Sequence, residues 1–161
     1  MKKLTYLLLV ASLIITSCKK ENTTPAAVTE QLPIAVTVLA TGSVTSSVHT
    51  SSGTVKIVKD AANKIYLVFE NFKTDNGPDL RVWLSPNNSG TPYQELGLLK
   101  AASGNFFYEL DASVNYTSNN RVLIWCKQFS VLFGYAVFLY GLFKYLILYF
   151  ILNFFFRINP E

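Results

Sequence analysis

The sequence predicts an all-β fold, an antiparallel β-sandwich, with a further segment at each end that lies outside it. Three observations predict this class. Short runs of alternating apolar and polar residues recur along the middle of the chain. Turn-forming residues separate these runs, and the one stretch that fits a helix is too short to change the class. The 161 residues allow one such domain with its end segments, not two domains.

Residues 1–17 have the anatomy of a secretory signal peptide: Lys2 and Lys3, an apolar run over Leu4–Ile15, and small residues before Cys18. The end of this segment, Ile15-Thr16-Ser17-Cys18, resembles the bacterial lipobox. That resemblance implies cleavage before Cys18, with diacylglycerol on its sulfur and an acyl chain on its new amine. Several acyl chains together give stable membrane attachment. We therefore expect a lipid-anchored protein of the bacterial cell envelope, with the choice between inner and outer membrane open. The alternative is an ordinary signal peptide with an incidental cysteine.

Residues 18–36 are predicted to form a polar tether. The stretch Lys19–Pro33 contains threonine and proline, and it shows no hydrophobic period. The domain itself is assigned to residues 37–137.

Strands and turns then alternate through the domain. The strand-like runs are Ile34–Leu39, Thr54–Val58, Ile65–Phe72, Leu80–Ser85, Phe106–Leu110 and Val122–Phe133. Between them we expect a Ser/Thr-rich connection at Thr41–Ser52, turns at Asp60–Lys64 and Asn76–Asp79, a loop at Pro86–Pro92, and at most a short helix at Leu96–Ala102.

The most strand-like run is Arg121–Ala136. Its alternation places Val122, Ile124 and Cys126 on one face and Trp125 on the other. Because apolar and polar residues go on alternating through Phe129, Val131 and Phe133, we expect a single long core strand with a thiol among apolar neighbours. Trp83 and Trp125 lie on faces opposite the core, where they would cover the second face of a sheet or form a partner surface.

The charge of the domain argues against nucleic acid as a partner. The net charge of the chain is +4, but the end segments account for much of it. Residues 37–137 contain eight Lys/Arg and seven Asp/Glu, which leaves the domain close to neutral. Of the two cysteines, Cys18 is assigned to lipidation, so no intrachain disulfide is expected.

Several segments together resemble the DM-thirteen domain, a β-sandwich module found beside DOMON domains and in bacterial surface proteins. The matching segments are His49-Thr50-Ser51-Ser52-Gly53-Thr54-Val55-Lys56-Ile57, Asn71-Phe72, Gly77-Pro78-Asp79-Leu80-Arg81-Val82-Trp83-Leu84-Ser85 and Ile124-Trp125-Cys126-Lys127-Gln128-Phe129-Ser130-Val131-Leu132-Phe133-Gly134. The resemblance implies electron transfer with an unidentified redox partner. It also implies that the family's cysteine, here Cys126, acts as a bare thiol or holds a prosthetic group such as haem.

The residues themselves leave two interpretations of Cys126 open. It is either the redox group, or a small core residue in a non-catalytic binding or surface-structure module. An unpaired thiol in an oxidising envelope is a liability unless it is sealed or used. His49, the only histidine, is a candidate ligand, although a lone histidine in a Ser/Thr loop more often makes surface hydrogen bonds. One His and one Cys do not supply the four ligands of a structural zinc. Haem needs only one or two axial ligands, but the domain has no c-type attachment signature and no methionine.

Gly77, Pro78 and Asp79 are interpreted as a structural turn, in which Pro78 fixes φ and Asp79 hydrogen-bonds nearby backbone. No Ser/His/Asp arrangement, phosphate-binding loop or carboxylate pair is present in the sequence. We therefore expect an electron-transfer or binding domain rather than an enzyme.

Residues 138–161 depart from the resembling family. Of these 24 residues, 20 are Phe, Leu, Tyr, Ile, Asn or Lys, the types that AT-rich codons encode, which favours a frameshift extension. The alternative is a transmembrane helix, because 137–156 has the length that a bilayer requires. Either way, we expect this tail to contribute nothing to the core.

Overall fold

The computed structural model of the chain describes residues 24–31, 35–141 and 149. Cys18, the signal segment, residues 18–23 and 32–34 of the tether, and most of the tail lie outside the described residues. Within the described residues the ten strands are β1 Val28–Thr29, β2 Val36–Ser46, β3 Ser51–Asp60, β4 Ile65–Thr74, β5 Leu80–Ser85, β6 Gln94–Leu98, β7 Ser103–Leu110, β8 Arg121–Cys126, β9 Val131–Val137 and β10 Leu139–Tyr140.

The strands form one mixed sheet that is continuous through β2. Its order is β1-β7-β4-β3-β2-β9-β8-β5-β6, and β10 pairs with β2 outside this path. The first part of β2, residues 36–43, pairs with β3, and its last part, 44–46, pairs with β9. All neighbours are antiparallel except β1 and β7, which run parallel. The predicted all-β class is confirmed. The predicted sandwich is not, because the strands form one continuous sheet instead of two separate sheets that face each other.

The sheet curls so that its inner face encloses one core. The largest buried cluster joins Ile57 and Phe69 of β3 and β4 with Leu84 and Ile124 of β5 and β8. Each such side chain removed from water contributes about 1.5–3 kcal/mol. Phe69 also stacks on Phe106 of β7, with ring centroids 4.8 Å apart. Residues that are far apart in sequence therefore share one interior, which holds the two halves of the sheet together.

The expected single strand over Val122–Phe133 is wrong, because it is a hairpin. β8 ends at Cys126, residues 127–130 turn, and β9 pairs back with Cys126 opposite Val131. Ser130 has a positive φ of 54°, a backbone conformation that belongs to turns. As a consequence, Phe129 is 63% exposed instead of buried.

Two other expectations fail locally. The Ser/Thr-rich connection Thr41–Ser52 is mostly strand: β2 continues to Ser46 and β3 begins at Ser51. The short helix at Leu96–Ala102 does not form, since Gln94–Leu98 is β6 and pairs with β5. The turn after Asp60 is confirmed, and its carboxylate accepts backbone hydrogen bonds from Ala62 and Lys64.

Contacts of the domain extend beyond both boundaries drawn from sequence. Residues 24–31 fall within the expected tether, but β1 pairs with β7, and the carboxylate of Glu30 accepts hydrogen bonds from Lys100 Nζ at 2.9 and 3.0 Å. At the other boundary, Phe138 is only 3% exposed and belongs to the core cluster. The first residues of the tail are therefore part of the folded domain. None of the described residues forms a helix with the length and apolar character that crossing a membrane requires.

Candidate functional site

Cys126 lies at the last position of β8, with its side chain in the core. In the ladder it is opposite Leu80 of β5 and Val131 of β9. The residue is fully buried and makes no disulfide. Period-two alternation correctly placed Val122, Ile124 and Cys126 on the inner face. The native packing thus separates the sulfur from solvent.

The loop 75–79 closes over this end of the sheet. The backbone N–H of Lys127 donates to the carbonyl oxygen of Asp79 at 2.9 Å, which fastens the loop beside Cys126. At Gly77, an added Cβ would lie 2.7 Å from Leu80 Cδ2 and 3.0 Å from Phe133 Cζ. Glycine is therefore the residue that lets the loop approach these two core side chains.

Asp79 has a different partner from the one expected. Its carboxylate accepts a hydrogen bond from Arg81 Nε instead of from nearby backbone. That hydrogen bond raises the pKa of Arg81, and Glu95, whose carboxylate is 2.9 Å from Arg81 Nη1, raises it further. Pro78 and Asp79 do form the turn that was expected. The charge of Asp79 serves to hold this turn onto β5, which is a structural role.

His49 belongs to the same end of the sheet. Its ring stacks on Phe133 with centroids 3.8 Å apart and an interplanar angle of 25°. Its Nδ1 lies 3.2 Å from Oδ2 of Asp75, and the same oxygen accepts the N–H of Thr50 at 3.3 Å. Phe133 therefore contacts both the His49 ring and the place where loop 75–79 approaches the core.

We define the cysteine end as the turns 47–50, 75–79 and 127–130 together with residues 24–27. The segments that carry the family resemblance meet here, although 49 and 133 are far apart in sequence. Asp75 is the member that sequence reasoning missed. Its only signal was its place in the turn-rich stretch before Gly77, and its pairing with His49 depends on tertiary contact.

The cysteine end does not fit a haem ligated by Cys126. The sulfur is enclosed by core side chains, and a macrocycle at that position would have to displace Leu80 or Phe133, which are 0% and 3% exposed. Among the described residues, no three His, Cys, Asp or Glu side chains gather as a metal site would require. We therefore derive no step through a prosthetic group.

The outer face of β5 and β8 carries a stack of three aromatic rings. Trp83 stacks on Tyr93 at 3.8 Å and on Trp125 at 4.9 Å between centroids. Its indole N–H donates to Glu95 Oε2 at 3.3 Å. The loop between β5 and β6 packs on Trp125, since a Cβ added at Gly90 would meet its ring at 2.9 Å. Trp83 is only 4% exposed, so the chain itself covers this part of the second face.

Comparison with known proteins identifies the family. No curated protein and no solved structure matches this chain. The profile of the family described as electron transfer DM13 matches residues 43–138, more than half of the chain. The matched region contains Cys126, His49 and the turn at Gly77–Asp79, and it ends at the buried Phe138. The chain therefore belongs to the electron transfer DM13 family.

Proposed function

We propose that this protein transfers electrons at the bacterial cell envelope, with Cys126 as its redox group and a lipid on Cys18 as its anchor. The observation that carries the proposal is the family match over 43–138, which includes this cysteine. The gathering of the family's segments around the cysteine end supports it further. The electron donor and acceptor are partners outside this chain.

Burial of Cys126 limits how the thiol can act. Thiol–disulfide exchange requires that a partner's sulfur touch the attacking thiolate, and a fully buried side chain does not permit that contact. A thiol route therefore requires loop 75–79 to move away from Phe133 and Leu80. The fastening hydrogen bond of this loop, from Lys127 to Asp79, is the contact that such a movement would break.

The test measures the thiol chemistry of the full chain isolated from its own host. Oxidised glutathione should form a mixed disulfide with Cys126 and release one reduced glutathione, whereas C126A should form no adduct, and alkylation of the folded protein should be slow but measurable. H49A is the matched variant at the same end, and it should still form the adduct if Cys126 is the redox group. A folded wild-type protein that forms no adduct would exclude the cysteine from the role.

The anchor is tested separately. Mass spectrometry of the native amino terminus should find Cys18 as the first residue, carrying diacylglycerol on sulfur and an acyl chain on its amine. C18S should leave a precursor that is not lipidated. An unmodified Cys18 in the wild-type protein would remove the anchor from the proposal.

A second candidate function rests on a specific observation, the complete burial of Cys126 in an apolar cluster. In this alternative the domain is a non-catalytic binding or surface-structure module, and the thiol is sealed core. Under that alternative, alkylation and mixed-disulfide formation occur only after denaturation, and the isolated protein has no chromophore.

A further inference from the structure

We propose that the domain rests on the bilayer with its cysteine end, so that the turns 47–50 and 127–130 touch the lipid. This orientation rests on the lipid anchor at Cys18 in the proposed function. Beyond the anchor itself, the orientation specifies which surface of the domain faces the membrane. A soluble partner cannot approach that surface.

The amino-terminal attachment reaches the domain at the cysteine end. Thr24 lines a surface depression of about 280 Å³ together with Asn76, Gly77 and Pro78. The carbonyl oxygen of Pro25 then accepts the N–H of Ala102 at 2.8 Å. From there β1 runs parallel to β7, away from this end.

The connection between lipid and domain is short. From Cys18 to Thr24 the chain takes six residue steps, which span at most about 20 Å when fully extended. In contrast, β2 has 11 residues, a length of roughly 36 Å. This connection therefore holds the cysteine end near the lipid, and through it the opposite end reaches the lipid only if the domain lies on its side.

Exposed apolar side chains favour the upright orientation. Val48 is 70% exposed and Phe129 is 63% exposed. The two turns are neighbours, because the N–H of Val48 donates to the carbonyl oxygen of Leu132, in the strand that follows Phe129. The free energy falls when apolar and aromatic side chains enter the boundary between the headgroups and the acyl chains of a bilayer. At the opposite end, the turn 61–64 offers two alanines, an asparagine and a lysine. The exposed apolar side chains on that side, Val38 at 52% and Tyr93 at 44%, are less exposed than Val48 and Phe129.

The charges near the cysteine end are largely paired within the chain. Lys127 contacts Glu95 at 3.2 Å, and His49 contacts Asp75 at 3.2 Å. Among the described residues of this end, the ion pairs leave no unbalanced cationic surface that would require anionic lipid. We therefore expect the two turns to contact neutral vesicles, so the test needs no anionic lipid.

The experiment uses the full lipidated chain in phosphatidylcholine vesicles that contain a headgroup nitroxide lipid as quencher. A fluorophore is attached at Q128C, in the 127–130 turn, or at A62C, in the far turn. Both native residues are exposed, and each label is introduced in the C126A background so that only the new cysteine reacts. We expect quenching at Q128C to exceed quenching at A62C several-fold, and V48S/F129S in the Q128C background to reduce it.

Each outcome decides the proposal. Protein that floats with the vesicles but shows equal quenching at both positions, or stronger quenching at A62C, overturns the orientation and leaves the anchor intact. Quenching at Q128C that is unchanged by V48S/F129S overturns lipid contact by these turns. Failure to float, with an unmodified Cys18 in the mass spectrum, overturns the anchor and the orientation together.

Discussion

Replacement of Cys126 by serine and by alanine distinguishes a sealed core thiol from an accessible one. The side chain is fully buried, so C126A leaves a void the size of one sulfur atom, for which we expect a loss of about 1 kcal/mol. C126S nearly preserves the volume but places a hydroxyl among apolar side chains. An unsatisfied buried hydroxyl costs about 1–3 kcal/mol. Serine should therefore be the more damaging of the two.

Urea unfolding of each variant measures this order. Trp83 is 4% exposed in the folded state, so its fluorescence reports the transition. With a slope of about 1–3 kcal/mol per molar urea, C126S should lower the midpoint by roughly 1 M. S113A is the matched control, since Ser113 is exposed and a surface change stays within about 0.5 kcal/mol. A C126S protein as stable as C126A, or equal alkylation rates in the folded and unfolded protein, would refute the reasoning.

Three further predictions concern the packing around the domain. G77A should lose about 1–3 kcal/mol in urea unfolding, because the new Cβ would lie 3.0 Å from Phe133 Cζ, and unchanged stability would mean that the loop does not pack there. F138A should lose about 3–5 kcal/mol in the same assay, since the ring is 3% exposed; a loss under 1 kcal/mol would place it outside the core. For Glu30, burial raises the pKa, but the hydrogen bond from Lys100 and further contacts lower it below its ordinary value of 4.5. The ion pair with Lys100 is therefore fully present above pH 4.5 and is lost as the pH falls through the lowered pKa of Glu30. Proteolysis within 24–31 should therefore accelerate in acid, and E30Q should remove this pH dependence.

Strands whose alternation is bounded by turn residues could be predicted from sequence. β5 runs over Leu80–Ser85, as expected, and the inner face of β8 is the one that carries Cys126. In both, the residues at a period of two line the core cluster. The other face is also largely covered, since Trp83 and Leu123 are 4% and 0% exposed.

The sequence did not predict the turn after β8, the full length of β2, or β6, because the local residue pattern of each differs from the structure that its tertiary contacts produce. Over 129–133 the apolar alternation resumes with the same period, and only a phase shift of one residue between Cys126 and Phe129 marks the turn that ends β8. β2 carries Ser and Thr because much of it is only partly buried, and such a polar strand resembles a loop in sequence. β6 lies at the end of the sheet order, where pairing with a single neighbour leaves little hydrophobic signal.

The candidate site was predictable as individual residues but not as an arrangement. Cys126 and His49 stand out because each is the only residue of its kind in the domain. The stacking of His49 on Phe133 and its pairing with Asp75 join three separate turns, and no local pattern encodes that proximity. The close approach of loop 75–79 to Leu80 and Phe133 likewise depends on Gly77, which as a turn residue gave no sign of its contact with the core.

The short parallel strand β1 determines how the domain would respond to mechanical load. A pull from the amino-terminal side meets β1 first, which is held to β7 through two residues and by the ion pair between Glu30 and Lys100. These contacts should yield well before β2, which pairs with β3 over 36–43 and with β9 over 44–46. Release of 24–35 would lengthen the connection by roughly 40 Å. The segment thus acts as an extensible link that absorbs force while the core, with Cys126 inside it, stays folded.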